Sequence, residues 1–162
     1  MDRASLDLTQ QAAPKVKALG TLTVTGWMRN TVITSAGHLG TITAGGMDGA
    51  TVRAGVLAMM GPAMPSQSGD FPAQCVLEAL AIKGMKQGGV SVPSFVNSSV
   101  AAWRIARAAV RSVATDNAAN GGASFGLSAD QFDALTWLQG PQLYRWPAHW
   151  AVDPGDFAVL DV

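Results

Sequence analysis

Charge is scarce in this chain. Asp, Glu, Lys and Arg make up 14% of its 162 residues, against roughly 25% in an ordinary soluble domain. The eleven basic and eleven acidic side chains cancel, so no long-range field draws the protein towards nucleic acid or an anionic membrane. Between Ala18 and Met47 the one formal charge is Arg29. That gap does not make a membrane span, because Thr, Ser, Asn and Gly interrupt it and no run of about 20 apolar residues occurs. Cysteine is limited to Cys75, which excludes an internal disulfide and a stapled scaffold. Histidine is limited to His38 and His149, and no cluster of His, Cys or carboxylates has zinc-ligand spacing. The N-terminal "MDRASLDLTQQ" carries acids and no apolar core, unlike a signal peptide. The expectation is an intracellular protein or a piece of a longer exported one.

Threonine and glycine are abundant instead, and locally so: eight of the eleven threonines lie between positions 21 and 51. Leu19-Gly20-Thr21-Leu22-Thr23 returns as Leu39-Gly40-Thr41-Ile42-Thr43. Side chains of a strand point to opposite faces at period two, so this alternation gives one apolar and one hydroxylated face. The frame (apolar, any, Thr/Ala, Leu/Ile, Thr/Ala, any, any, Gly) recurs as LGTLTVTG at 19–26, LGTITAGG at 39–46 and LEALAIKG at 77–84. It recurs again as FDALTWLQG at 132–140, with one extra residue, and in degenerate form from Ile105. Second strands are predicted between them at 30–37, 50–55 and 97–103.

A period near twenty is the mark of a solenoid, in which one layer cannot bury its apolar face alone but stacked layers can. The expected fold class is therefore all-β: a parallel β-helix (β-solenoid) of about 20-residue coils. In it Thr21 stacks on Thr41, Thr23 on Thr43, and Leu22 lies beside Ile42 in the inner row. Residues 1–18 are an N-terminal cap or linker. Residues 57–75, with three of the eight prolines, form an inserted loop. Residues 141–162 form a C-terminal cap and closing strand. Two segments carry the opposite local signal. Residues 100–114 are rich in Ala, the best helix former, with Arg104, Arg107 and Arg111 at helical spacing. Residues 128–138 begin Ser-x-x-Gln, as a capping box does.

The block "FVNSSVAAWRIARAAVRSVATDNAANGGASFGLSAD" at 95–130, with the paired LGT[LI]T copies, resembles the glycine- and threonine-rich β-solenoid repeats of very large bacterial surface proteins. The resemblance covers residues 19–140, about three quarters of the chain, and "DPGDFAVLDV" at 153–162 resembles the closing strand of such a domain. The alanine-heavy 100–114 block and the Trp-rich tail depart from the pattern. The resemblance implies a passive structural or adhesive role, exported to the cell surface as part of a larger protein, and brings no catalytic residues with it.

Other chemistry is thinner. Gly122-Ala123-Ser124-Phe125-Gly126 fits the nucleophile-elbow pattern, with Asp133 and His149 in hydrolase order, but the loop-forming "TDNAANG" stands where a buried strand is needed. Asp116, Asn117 and Asn120 offer calcium the loop oxygens it prefers, or simply turn a corner. Polysaccharide cleavage on a solenoid face needs converging carboxylates, for which Asp116, Asp130 and Asp133 are the candidates. Tyr144, Trp146 and Trp150 in the tail suit either sugar or partner contact, or a lid over the last coil. The expectation is a non-catalytic structural or adhesive domain with no cofactor and no nucleic acid or membrane insertion. Its partner is a carbohydrate, a protein or, through open ends, another copy. The alternatives are a polysaccharide-degrading or carbohydrate-binding β-helix, or a self-assembling unit.

Overall fold

A computed structural model describes residues 1–9, 16–56, 64–115, 125–146 and 156–162. Their regular structure is strand, apart from one 3-10 turn at Ser68–Asp70. The chain is therefore all-β. Among the described residues no helix is long and apolar enough to cross a membrane.

The first half of the chain forms β1 (Ser5–Leu8), β2 (Lys17–Arg29), β3 (Val32–Ser35), β4 (His38–Asp48), β5 (Thr51–Ala54) and β6 (Val76–Ile82). Next come β7 (Met85–Gln87), β8 (Val90–Val92), β9 (Phe95–Val96), β10 (Ser99–Ala102), β11 (Arg104–Ile105) and β12 (Ala108–Val110). The last are β13 (Phe125–Ala129), β14 (Gln131–Phe132), β15 (Leu135–Gln139), β16 (Gln142–Arg145) and β17 (Phe157–Asp161). One sheet has six strands in the order β1-β3-β5-β10-β13-β17, which is also their chain order. All its pairs are parallel. A nine-stranded sheet takes β2, β4, β6, β9, β11, β12, β14, β15 and β16. It is parallel except for the β15–β16 hairpin. From β1 to β6 the chain alternates between the two sheets. The antiparallel pair β7–β8 stands apart, turned by Gly88 and Gly89 at φ 58° and 83°.

Register explains the composition. The first apolar residue of all five sequence frames falls in one column: Leu19, Leu39, Leu77, Ile105 and Phe132 are successive register partners. Three positions on, Leu22, Ile42, Leu80, Ala108 and Leu135 form a second column. The six-stranded sheet contributes Leu6, Ile33, Val52, Val100, Leu127 and Val159. These columns line one core, in which Ile33, Ile42, Val52, Leu77 and Leu127 are fully buried. The threonines stack as their alternation requires, Thr21 on Thr41 and Thr23 on Thr43, with Ala79 and Ala81 next. Leu22 is only partly buried, because β2 has a strand neighbour on one side alone.

Close packing of the strands selects particular residues. A Cβ on Gly40 would run into the main-chain oxygen of Gly20, which accounts for the glycine in β4. At the corner leading into the six-stranded sheet, Asn30, Gly49 and Asn97 take left-handed φ values of 45°, 60° and 44°. Asn and Gly tolerate this region best. Their successors Thr31, Ala50 and Ser98 are buried and bonded layer to layer, Thr51 N–H to Thr31 O at 2.8 Å and Ser99 N–H to Ala50 O at 2.9 Å.

The 100–114 block is β10, β11 and β12, and 128–138 spans the end of β13, then β14 and β15. The helical signals of both segments are overridden by their neighbours. β10 lies between β5 and β13, and β12 between β6 and β15, in unbroken parallel register. Ala101, Ala102 and Ala108 are buried, and Ser128 is a buried strand residue rather than a helix cap. Within 57–75, the described part from 64 roofs the six-stranded sheet: Ser128 Oγ donates to Pro65 O at 2.7 Å, and Phe71 is buried. Of the two terminal segments, residues 5–8 are β1 and residues 157–161 are β17, both strands of the six-stranded sheet.

Ile42→Asp places an unpaired charge in the middle of a dry column and is expected to abolish the cooperative thermal transition. Leu22→Asp, at the sheet edge, should leave a folded but destabilised protein, and Thr23→Val should change stability by no more than about 0.5 kcal/mol. Thermal denaturation followed by circular dichroism ranks the three; an Ile42→Asp protein melting like the parent would mean the columns are inverted.

Candidate functional site

The tail aromatics are placed by the last strands. β15 turns Trp137 inward, and the antiparallel register of β16 sets Tyr144 directly opposite it. The two rings stack at 5.1 Å and 11°. Trp137 also meets Phe157 at 6.1 Å, and Phe157 meets Phe95 and Phe125 at 6.0 and 5.8 Å. Tyr144 is buried, and Trp146 packs on Phe132 at 5.7 Å against the core. Both rings thus close the end of the apolar interior. Trp150 lies outside the described residues.

Beside this cap lies a group that the sequence did not single out. Among the described residues four buried polar atoms have no hydrogen-bond partner: Trp137 Nε1, Gln139 Oε1 and both carboxylate oxygens of Asp156. Gln139 and Asp156 converge on Thr115, Gln139 Nε2 donating to Thr115 Oγ1 at 3.2 Å and Asp156 N–H to Thr115 O at 3.4 Å. Thr115 directly precedes the calcium candidates Asp116, Asn117 and Asn120, which lie outside the described residues. Among the described residues no group of three or more His, Cys, Asp and Glu is placed to hold a metal.

The hydrolase pattern is not brought together in what is described. Ser124 and His149 lie outside it, and Asp133 is engaged by Arg104, whose Nε lies 3.0 and 3.1 Å from its two oxygens while Nη2 meets Oδ2. Of the other two carboxylates considered for polysaccharide cleavage, Asp130 sits at the turn between β13 and β14 and Asp116 is outside the described residues.

His38 and Cys75 meet at another corner, where the inserted segment rejoins the nine-stranded sheet. His38 Nδ1 accepts the Val76 N–H at 2.9 Å, which leaves the proton of a neutral ring on Nε2. The Cys75 thiol donates to Ala36 O at 3.2 Å. Burial pushes the Cys75 pKa up, so it is a protonated, enclosed thiol and a poor nucleophile. In the inserted segment, the Asp70 carboxylate accepts the Ser66 N–H at 2.9 Å, and its pKa lies below the usual value chiefly for that reason. Its side chain also takes the Gln67 N–H and amide, tying the turn on itself.

Three outcomes follow. Cys75 should resist a thiol reagent in the native protein and react only as fast as the protein unfolds; rapid native labelling would contradict its burial. Tyr144→Ala should cost about 3 kcal/mol by uncovering Trp137, whereas Leu143→Ala, at an exposed site, should cost under about 0.5 kcal/mol, as read by denaturant unfolding. Because the Asp70 pKa is depressed on folding, its contribution is complete above the ordinary carboxylate pKa and is lost as pH falls through the lowered one. Asp70→Asn should therefore flatten the acid limb of the stability–pH curve and leave its alkaline limb unchanged.

No family model, curated protein or solved structure matches the chain.

Proposed function

We propose that the chain is a β-solenoid serving as a non-catalytic structural or adhesive module of a secreted or surface-exposed bacterial protein. The observation that carries the reading is the five-member column Leu19, Leu39, Leu77, Ile105 and Phe132, one residue from each sequence frame, in unbroken parallel register. Such a column is what a chain winding in layers produces. The uneven spacing between layers has a material cause: the 57–75 segment and the β7–β8 hairpin are additions to the winding.

The chemistry in view supports the non-catalytic half. Asp133 is tied to Arg104, Cys75 is enclosed, His38 holds a corner, and Tyr144 with Trp146 plugs an end. Those roles are structural. What a stack of strands offers to the outside is a rigid array of outward positions at about 4.8 Å intervals, suited to spacing or to adhesion. Self-association is the second reading. Among the described residues β1 pairs on one side alone, and β2, 13 residues long, is covered on its second edge only at its end, where Asp2 bridges Arg29; an open strand edge is a template for another chain.

Cysteine pairs test the winding. In a Cys75→Ala background, Thr23/Thr43, Thr43/Ala81 and Ala109/Thr136 double-cysteine variants face outward on adjacent strands and should each oxidise to a disulfide, since adjacent strands satisfy the Cα separation required. Thr23/Ala81, one strand further apart, should not. The reverse pattern would end the solenoid reading. Labelling of Ser124 by an active-site-directed fluorophosphonate, with turnover lost in Ser124→Ala, would end the non-catalytic one.

A further inference from the structure

We propose that the outer face of the nine-stranded sheet, beside the β7–β8 hairpin, binds an anionic polysaccharide, a carboxylated or sulfated glycan. This deepens the adhesive reading above and rests on it. Three adjoining depressions of about 370, 290 and 150 Å³ lie on this face. Arg111 lines all three. Lys83 joins it in two, and Lys86 and Ser91 of the hairpin form the wall of the smallest. The floor is low because the outward column changes from Thr23 and Thr43 to Ala81 and Ala109. A hollow is left between the hairpin and the β15–β16 edge, where Thr136, Leu138 and Leu143 stand.

The charge on this face is what selects the partner. No Asp or Glu lines any of the three depressions. Glu78, on β6, is held by Lys17 at 2.6 Å, and Asp133, just before β15, by Arg104. Among the described residues Lys83, Lys86 and Arg111 form no ion pair. Exposed Arg107 lies two residues upstream of Ala109, and exposed Arg145 is the register partner of Thr136. Among the described residues the neutral total of the chain thus conceals a one-signed patch around Arg111. Arg111 N–H bonds to Ile82 O, which sets the backbones of Lys83 and Arg111 on neighbouring strands about 4.8 Å apart.

The shape narrows the choice further. An open, linear run of hollows sharing one arginine fits an extended chain with repeated negative groups better than a single small anion. Single-stranded nucleic acid is held by aromatic platforms as well as by charge, and the one aromatic ring lining these depressions, Trp137, is turned inward and only 5% exposed. A glycan needs only carboxylate or sulfate groups for the cations and hydroxyls for Ser91, Ser112 and Thr136.

The test is titration of the intact chain at low ionic strength with polygalacturonate and heparin oligosaccharides, neutral dextran as a blank and an oligothymidylate as competitor. Binding to at least one anionic glycan is expected, with affinity falling on added salt. Lys83→Ala/Arg111→Ala should weaken it by roughly tenfold or more and reduce the salt dependence, as loss of two charge contacts requires. Arg29→Ala, at the far edge, should leave it unchanged. Both cations are exposed, so an unaltered circular dichroism spectrum and melting point will show the variants folded, and Lys86→Ala gives an independent check on the hairpin wall. Absence of glycan binding, equal binding by the double variant, or tighter binding of the oligothymidylate overturns the proposal. None of these results bears on the cysteine-pair pattern, so the glycan site can fail while the winding stands.

Discussion

The constraint on which the rest of the structure depends is parallel, in-register pairing between strands distant in sequence. A parallel ladder with a buried face tolerates no slip, because a shift of one residue turns every inward side chain outward. Each pass of the chain must therefore present its apolar residues at the same parity as the last. That is why Leu19, Leu39, Leu77, Ile105 and Phe132 form a column although their segments share few other residues. The same demand explains the smaller choices. Gly40 is glycine because the neighbouring strand's carbonyl leaves no space for a Cβ. Asn30, Gly49 and Asn97 turn one corner because each pass must turn at the same place for the next strand to land in register.

A ladder that can always accept another strand must be stopped, and the two ends are treated differently. At the C-terminal end the inner column Val24, Ala44, Ile82, Val110 finishes in Trp137, much larger than its predecessors. β16 then folds back antiparallel, lays Tyr144 over that indole and breaks the parallel sequence of the nine-stranded sheet. Bulk at the last inner position and reversal of the last strand act together, since the stacked ring covers the surface that a further layer would otherwise bury. At the N-terminal end β2 ends the ladder with Leu22 and Val24 only partly covered, and its outward positions are threonines rather than a barrier of charge.

The frame was legible in the sequence because alternation and glycine spacing are local signals repeated at an interval, and repetition amplifies them. Even the degenerate copy at Ile105 falls in its column. The alanine-rich 100–114 block was ambiguous for a physical reason: alanine suits a helix by itself, and here becomes strand because β10 and β12 each lie between two parallel neighbours, which a single segment cannot reveal. The β7–β8 hairpin carried a Gly88-Gly89 turn signal but pairs outside the two large sheets, so a search tuned to the sequence frame passes over it. Asp156 and Gln139 are unremarkable in sequence, and their buried oxygens, unpartnered among the described residues, come from distant segments meeting at Thr115. The basic face was hidden by the sum of charges, because a net value says nothing of where Glu78 and Asp133 spend their charge.

Packing and solvent exposure are assigned to opposite faces of the same strands. The inward columns are fixed by packing and register, so a change there costs the fold. The outward columns meet water and vary at little cost: one runs Thr23, Thr43, Ala81, Ala109 and Thr136 without any change in pairing. Function in such an architecture is written where the fold imposes least, on outward rows and on insertions. The β7–β8 hairpin and the outward basic residues satisfy both conditions. The hairpin adds a wall without disturbing the ladder on either side of it, since Lys83 N–H bonds to Ala44 O before it and Met47 N–H to Ser94 O after it. Arg111 directly follows the next strand, beside Gly84, whose φ of 87° suits glycine. The hollow between them therefore exists because the inner columns hold the strands at a constant spacing while an insertion rises from one layer and small residues line the next.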